Sequence, residues 1–158
     1  VHDTHFVVGH FHYVMFGGTG FAFFAAAHYW LPKYFGRRYQ EKPAIIGWVL
    51  MFIGFNILYF TMQVLGMEGM PRRYYDYLPE FARLNFVATV GSWILLVGVA
   101  IVVWNLWRGL FRGEAFTGNP WGGASLEWSI ATPPPTENFE EDPVVTHGPY
   151  DFKGAGVP

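Results

Sequence analysis

Val1-His2-Asp3-Thr4-His5-Phe6-Val7-Val8-Gly9-His10-Phe11-His12-Tyr13 places four histidines and an aspartate at the head of a long apolar segment. From Thr4 to Pro32 there is no Asp, Glu, Lys or Arg, so the segment can cross a bilayer as one helix. Ionisable side chains are costly in such a setting and usually mark a working site. At about 100° per residue, His10 and His12 project roughly 200° apart, from nearly opposite faces of one helix. They cannot share a single metal ion. Each can instead offer an imidazole to its own large planar cofactor, one on either side of the helix.

Asp3 precedes His10 by seven residues, which is about 20° away in projection and roughly 10 Å along the axis if the helix reaches that far. His2 and Asp3 then sit near the membrane surface, above the cofactor that His10 would hold. An aspartate beside a histidine suits a hard divalent ion such as Mg²⁺ or Mn²⁺ that keeps several waters. The pattern points to two hemes flanking a helix, with a non-redox metal over one of them.

The whole run HDTHFVVGHFHY resembles a motif of subunit I of the heme–copper terminal oxidases. That resemblance implies that His10 is the proximal ligand of a high-spin, oxygen-binding heme and His12 an axial ligand of a low-spin heme. It also implies that Phe11 lies between the two hemes on the electron path, and that His2 and Asp3 bind Mg or Mn. His5 and His28 are not assigned as ligands. His5 lies about 10 Å from His12 along a helix and His28 about 24 Å; the family places an aromatic at the position of His5.

Composition agrees with a membrane setting. The 158 residues are 52% hydrophobic and only 14% charged, too apolar for an ordinary soluble domain. A net charge of −2 carries no suggestion of nucleic-acid binding. With no cysteine, the sequence offers no disulfide, zinc ribbon or thiolate copper site. A ligand-bearing helix that begins this close to residue 1 gives the chain the look of a piece of a larger polypeptide, or one half of a split one.

The expected fold is an all-α membrane protein: three transmembrane helices of the larger subunit I bundle, at about 4–31, 44–65 and 84–107. Residues 1–112 form this transmembrane part and 113–158 an irregular, polar, cytoplasmic tail. In the first span, Gly17-Gly18-Thr19-Gly20 and Ala25-Ala26-Ala27 lack bulk and let neighbours approach closely. In the second, Asn56 and Gln63 face the bundle, where a polar group finds a partner. Lys33, Arg37, Arg38, Lys42, Arg108 and Arg112 fall on one side of the membrane and Arg72, Arg73 and Arg83 on the other, so the N-terminus lies outside.

An arginine pair on the outer face runs against the charge rule, and function accounts for it. Arg72 and Arg73 share a side with His2 and Asp3, where heme propionates would point, and guanidinium groups grip carboxylates in a bidentate fork. MPRRYYDY is similar to the family's propionate-binding element. In the tail, GNPWGG, LEW and ATPPP followed by Phe139-Glu140 resemble the C-terminal end of subunit I, ahead of the acidic run Glu140-Glu141-Asp142. The resemblance thus covers residues 1 to about 142.

Much of the machine must come from elsewhere. No second histidine here can reach the iron held by His12. The resemblance implies a copper ion with three histidines and a crosslinked tyrosine on other helices of subunit I, a subunit II carrying dicopper and a Mg-site glutamate, and a subunit III. The implied reaction is oxidation of cytochrome c and reduction of O₂ to water with proton pumping. The hemes would be of the a type, although the ligand residue is the same for a, b and o. The membrane is then a bacterial or mitochondrial inner membrane. A quinol oxidase is the alternative of the same fold, although Asp3 and PRRYYDY look like the cytochrome c branch. A bis-histidine cytochrome b anchor is the alternative of another class, and it gives no role to the HDT and PRRY elements.

Overall fold

The computed structural model describes residues 1–139 and 141–152; Glu140, the first member of the acidic run, and residues 153–158 lie outside the described set. The regular elements among the described residues are all helical, apart from two isolated bridges, Thr4 to Pro71 and Arg37 to Ala115. In chain order they form α1 (His5–His12), a π-helix (Tyr13–Gly20), α2 (Phe21–Phe35), α3 (Glu41–Met67), a short 3₁₀ turn (Pro79–Phe81), α4 (Ala82–Arg112) and a single turn, α5 (Leu126–Ser129).

The first apolar segment is helical from His5 to Phe35, but in three pieces. Thr4 caps its start: the hydroxyl accepts from the Phe6 amide at 3.3 Å and donates to the Val1 carbonyl at 2.7 Å. The π-turn falls on the glycine-rich stretch, where the Phe21 amide reaches back five residues to the Phe16 carbonyl. Phe16 and Phe21 meet edge to face, and both lie against Phe55 of α3. Pro32, expected as the first loop residue, is buried in the last turn of α2, so the loop shrinks to residues 36–40.

α3 and α4, the latter with its leading 3₁₀ turn, are long and apolar enough to cross a membrane. They exceed the expected 44–65 and 84–107 because charged residues are admitted at their ends: Glu41 and Lys42 open α3, and Arg108 and Arg112 close α4. Pro43 sits in the first turn of α3, where a missing N–H costs nothing.

Two compact units divide the chain: residues 1–25 with 41–105, and residues 26–40 with 106–158. In the first unit, glycines seven apart on α3 (Gly47, Gly54) and on α4 (Gly91, Gly98) set an antiparallel seam. Gly47 faces Val102, Gly54 faces Leu95, Gly91 faces Leu58 and Gly98 faces Met51. A Cβ on Gly54 would run into the Leu95 backbone. α1 joins the same helix from another side. Gly9 lies on the Tyr59 carbonyl and Gln63 side chain, and a Cβ on Gly66 would strike the Phe6 backbone.

α3 ends in a Schellman cap that aims the next loop. Gly69, at φ 93°, donates to the Gly66 carbonyl at 3.2 Å, and Met70 donates to the Leu65 carbonyl at 3.0 Å. Leu65 and Met70 then pack together with Phe81 in a small buried cluster.

In the second unit, residues 121–132 of the tail pack against α2. Lys33 is only 2% exposed, and its ammonium donates to the Ile130 carbonyl at 2.5 Å and to the Thr132 hydroxyl at 3.0 Å. The Trp128 indole N–H donates to the Tyr29 hydroxyl at 2.8 Å, and that of Trp121 to the Tyr29 carbonyl at 2.9 Å.

Two substitutions test these packings. Gly66→Val, in the assembled membrane complex, is expected to cost at least the roughly 1–3 kcal/mol of an overpacked core, read as a lower midpoint of thermal inactivation. Lys33→Ala leaves the Ile130 carbonyl without its donor, a loss of about 1–3 kcal/mol. It is expected to speed limited proteolysis within residues 126–132 while leaving other cleavage sites unchanged.

Candidate cofactor-binding site

The two histidines of the HFH triplet differ in their surroundings. His12 is half-buried against α3, its ring stacked on Tyr59 at 4.5 Å between centroids and 11° between planes. Its Nδ1 lies 2.8 Å from the Val8 carbonyl. A carbonyl oxygen only accepts, so Nδ1 must carry the proton, and Nε2 is left with a lone pair for a metal. Metal-bound histidines are ordinarily held in this way, their second nitrogen tied to a carbonyl. His10 is exposed, and its side chain has no hydrogen bond among the described residues; its ring stacks loosely on Phe6 at 6.0 Å. The structure therefore has one imidazole braced against a helix and the other open. Phe11, between them in sequence, is 41% exposed, with its ring 4.2 Å from that of His12.

The N-terminal residues do not continue the helix. Asp3 has a φ of 57°, and the chain turns there before the Thr4 cap. Its place is set instead by the loop after α3. Arg72 donates through Nε at 3.0 Å and Nη2 at 2.5 Å to Oδ1 of Asp3, and the Arg72 amide donates to the Asp3 carbonyl at 3.2 Å. The bridge between Thr4 and Pro71 and a bond from the His5 amide to the Met70 carbonyl, at 2.8 Å, complete the join. Oδ2 of Asp3 faces Nε2 of His2 at 3.3 Å. The Arg72 hydrogen bond, followed by the charges of His2 and Arg72, holds the Asp3 carboxyl below the usual aspartate range.

His2, Asp3 and Arg72 thus form one cluster at the N-terminal end of α1. Arg73 stands exposed beside it, at a φ of 68° that a β-carbon rarely tolerates. Arg72 spends two of its donors on a single oxygen, so the rest of its fork can grip a second anion. Among the described residues no three histidine or carboxylate side chains come together as a metal cage. A hard ion at His2 and Asp3 would take its other ligands from water or another chain, a demand Mg²⁺ and Mn²⁺ readily meet.

Three features of the site lay beyond the sequence pattern. Tyr59 is the stacking partner of His12. The Tyr13 hydroxyl donates to Asn56 Oδ1 at 2.8 Å, giving Asn56 the intramembrane partner its position called for. Gln63 packs on Gly9 through its aliphatic stem. The heptad between Asn56 and Gln63 hints that both meet the first helical segment, but no one-dimensional pattern pairs them with particular residues.

Comparison with known proteins places these features in context. A family model described as cytochrome c and quinol oxidase polypeptide I matches residues 1–94. The chain is 47% identical over 152 residues to cytochrome c oxidase subunit 1 of Synechocystis sp., covering 96% of this chain and 28% of that protein. The subunit 1 of Thermostichus vulcanus is 43% identical with the same coverages, and that of Bacillus sp. (strain PS3) 44% identical over 91% of this chain and 24% of its own. The chain spans about a quarter of the length of these relatives.

The join between the N-terminus and the post-α3 loop is testable in isolation. Asp3→Asn removes the charge that Arg72 grips. The amides of Arg72 and His5 are expected to exchange with deuterium about two to five times faster, the scale of an exposed ion pair. Mass spectrometry of peptides covering residues 1–8 and 70–75 reads the change.

Proposed function

The chain belongs to the cytochrome c and quinol oxidase polypeptide I family, and from that premise we propose that it is the part of a proton-pumping terminal oxidase that holds both hemes on one helix. The contrast between the two imidazoles carries this reading. His12, with its proton committed to Val8 and its ring braced, suits the closed low-spin site. His10, on another face of the same helix with its ring not hydrogen-bonded, is placed to serve the second, high-spin heme.

When bound, the hemes supply electron transfer and, with the copper held elsewhere in subunit I, the reduction of O₂ to water. This chain's residues prepare the ground for that chemistry. His10 and His12 would each offer a ring nitrogen to an iron, and Phe11 would fill the short path between the two sites. Arg72 and Arg73 would hold propionates ionised, and Asp3 keeps Arg72 in place for that role. His2 and Asp3 contribute two ligands to Mg or Mn at the outer surface, which a glutamate of subunit II would complete.

Three spans carry these groups through an inner membrane, with the first running through the α1, π and α2 segments. The N-terminus lies outside and the tail inside, in keeping with the basic residues that flank the spans. Partners are the rest of subunit I, subunits II and III, and cytochrome c as donor. The names of the relatives, together with Asp3 and the PRRYYDY run, favour cytochrome c over quinol. A dicopper subunit II purifying with this chain would settle the donor.

Substitution of the two ligands in the whole oxidase tests the assignment. His10→Ala is expected to abolish O₂ consumption and the CO-sensitive heme while the low-spin band remains. His12→Ala is expected to remove the low-spin band. Equal heme spectra in both variants and the parent would refute the assignment.

A further inference from the structure

We propose that Tyr59 is a positioning residue for His12: it fixes the plane of the imidazole and, through it, the electronic state of the iron that His12 would hold. The inference rests on the reading of His12 as an axial ligand.

A single hydrogen bond pins one point of a ring. The Nδ1 contact with Val8 sets where His12 Nε2 points but leaves the ring free to rock about the axis through that bond. A flat surface removes this freedom, and Tyr59 supplies one, nearly parallel to the imidazole at 11°. Phe11 closes on the same ring at 4.2 Å but is tilted by 50°, so it limits the ring without defining its plane. The plane is defined by Tyr59.

Tyr59 is itself held. Its ring meets Phe55 at 5.0 Å and 61°, and its backbone is locked to α1 because Gly9 offers no side chain at that contact. Phe55 in turn meets Tyr13 and Phe16 and is almost fully buried. Rigid elements thus set the direction of the imidazole's π system. In a low-spin heme that direction sets how the iron d orbitals split, and hence the g values and the reduction potential. The ring orientation of a ligating histidine is the lever a neighbouring side chain ordinarily acts on.

The test uses the intact oxidase carrying Tyr59→Phe, Tyr59→Leu or Tyr59→Met, read by low-temperature electron paramagnetic resonance of the oxidised low-spin heme. Tyr59→Phe keeps the flat face and is expected to reproduce the parent g values and line width. The Leu and Met variants are expected to broaden the low-spin signal and displace its outermost g value, with heme content and CO binding at the other heme unchanged. Parent-like g values and widths in Leu and Met would overturn the proposal. So would failure of both to retain heme while Phe is normal, because that marks a packing role. His12→Ala separates the two levels: a low-spin signal that survives it removes the ligand assignment itself, whatever the Tyr59 variants do.

Discussion

Backbone-to-backbone contact between α1 and α3 is the constraint on which the site depends. Gly9 and Gly66 let the two helices approach until the backbones touch, at the Tyr59 carbonyl and at Phe6. That approach brings Tyr59 flat against His12 and leaves His10 on the open side. It also carries the end of α3 to the start of α1, so that the Schellman cap at Gly69 delivers Arg72 to Asp3. A side chain at either glycine would separate the helices and disturb both the imidazole and the cluster of Asp3 and Arg72.

Charge does the second part of the work, at the start of α1. Asp3 and Arg73 occupy backbone conformations that L-residues seldom adopt, and a cost of this kind persists only where surrounding contacts outweigh it. Here the contacts are the pair of bonds from Arg72, the backbone bridge at Thr4 and Pro71, and the His2 ring. The Arg72 hydrogen bond and charge hold the Asp3 carboxyl below the usual aspartate range, and Asp3 in turn fixes the orientation of the Arg72 guanidinium, as the proposed metal and propionate roles require.

Much of this was legible in the sequence, for definable reasons. The 3.6-residue period places His10 and His12 on different faces, and the structure gives them different surroundings. Charge counting put Asp3 and Arg72 on one side, and they are in contact. Other features leave no periodic trace. The projection of Asp3 onto the His10 face fails because the helix starts only at His5, and a tertiary ion pair, not helical register, places the carboxylate. The π-turn is invisible to a 3.6-residue template. The tail reads as irregular because its contacts are non-local: the Ile130 carbonyl and Thr132 hydroxyl accept from Lys33, and the Trp128 indole donates to the Tyr29 hydroxyl, partners about a hundred residues apart in sequence.

One helix serving two chemically distinct hemes is the central claim, and the visible spectrum of the parent oxidase tests it most directly. Reduced-minus-oxidised spectra are recorded with and without CO. Two hemes are expected, of which only one shifts with CO, and the band positions name the heme type. Two hemes that both ignore CO would contradict the account in favour of a bis-histidine electron carrier, and absence of heme would contradict it altogether.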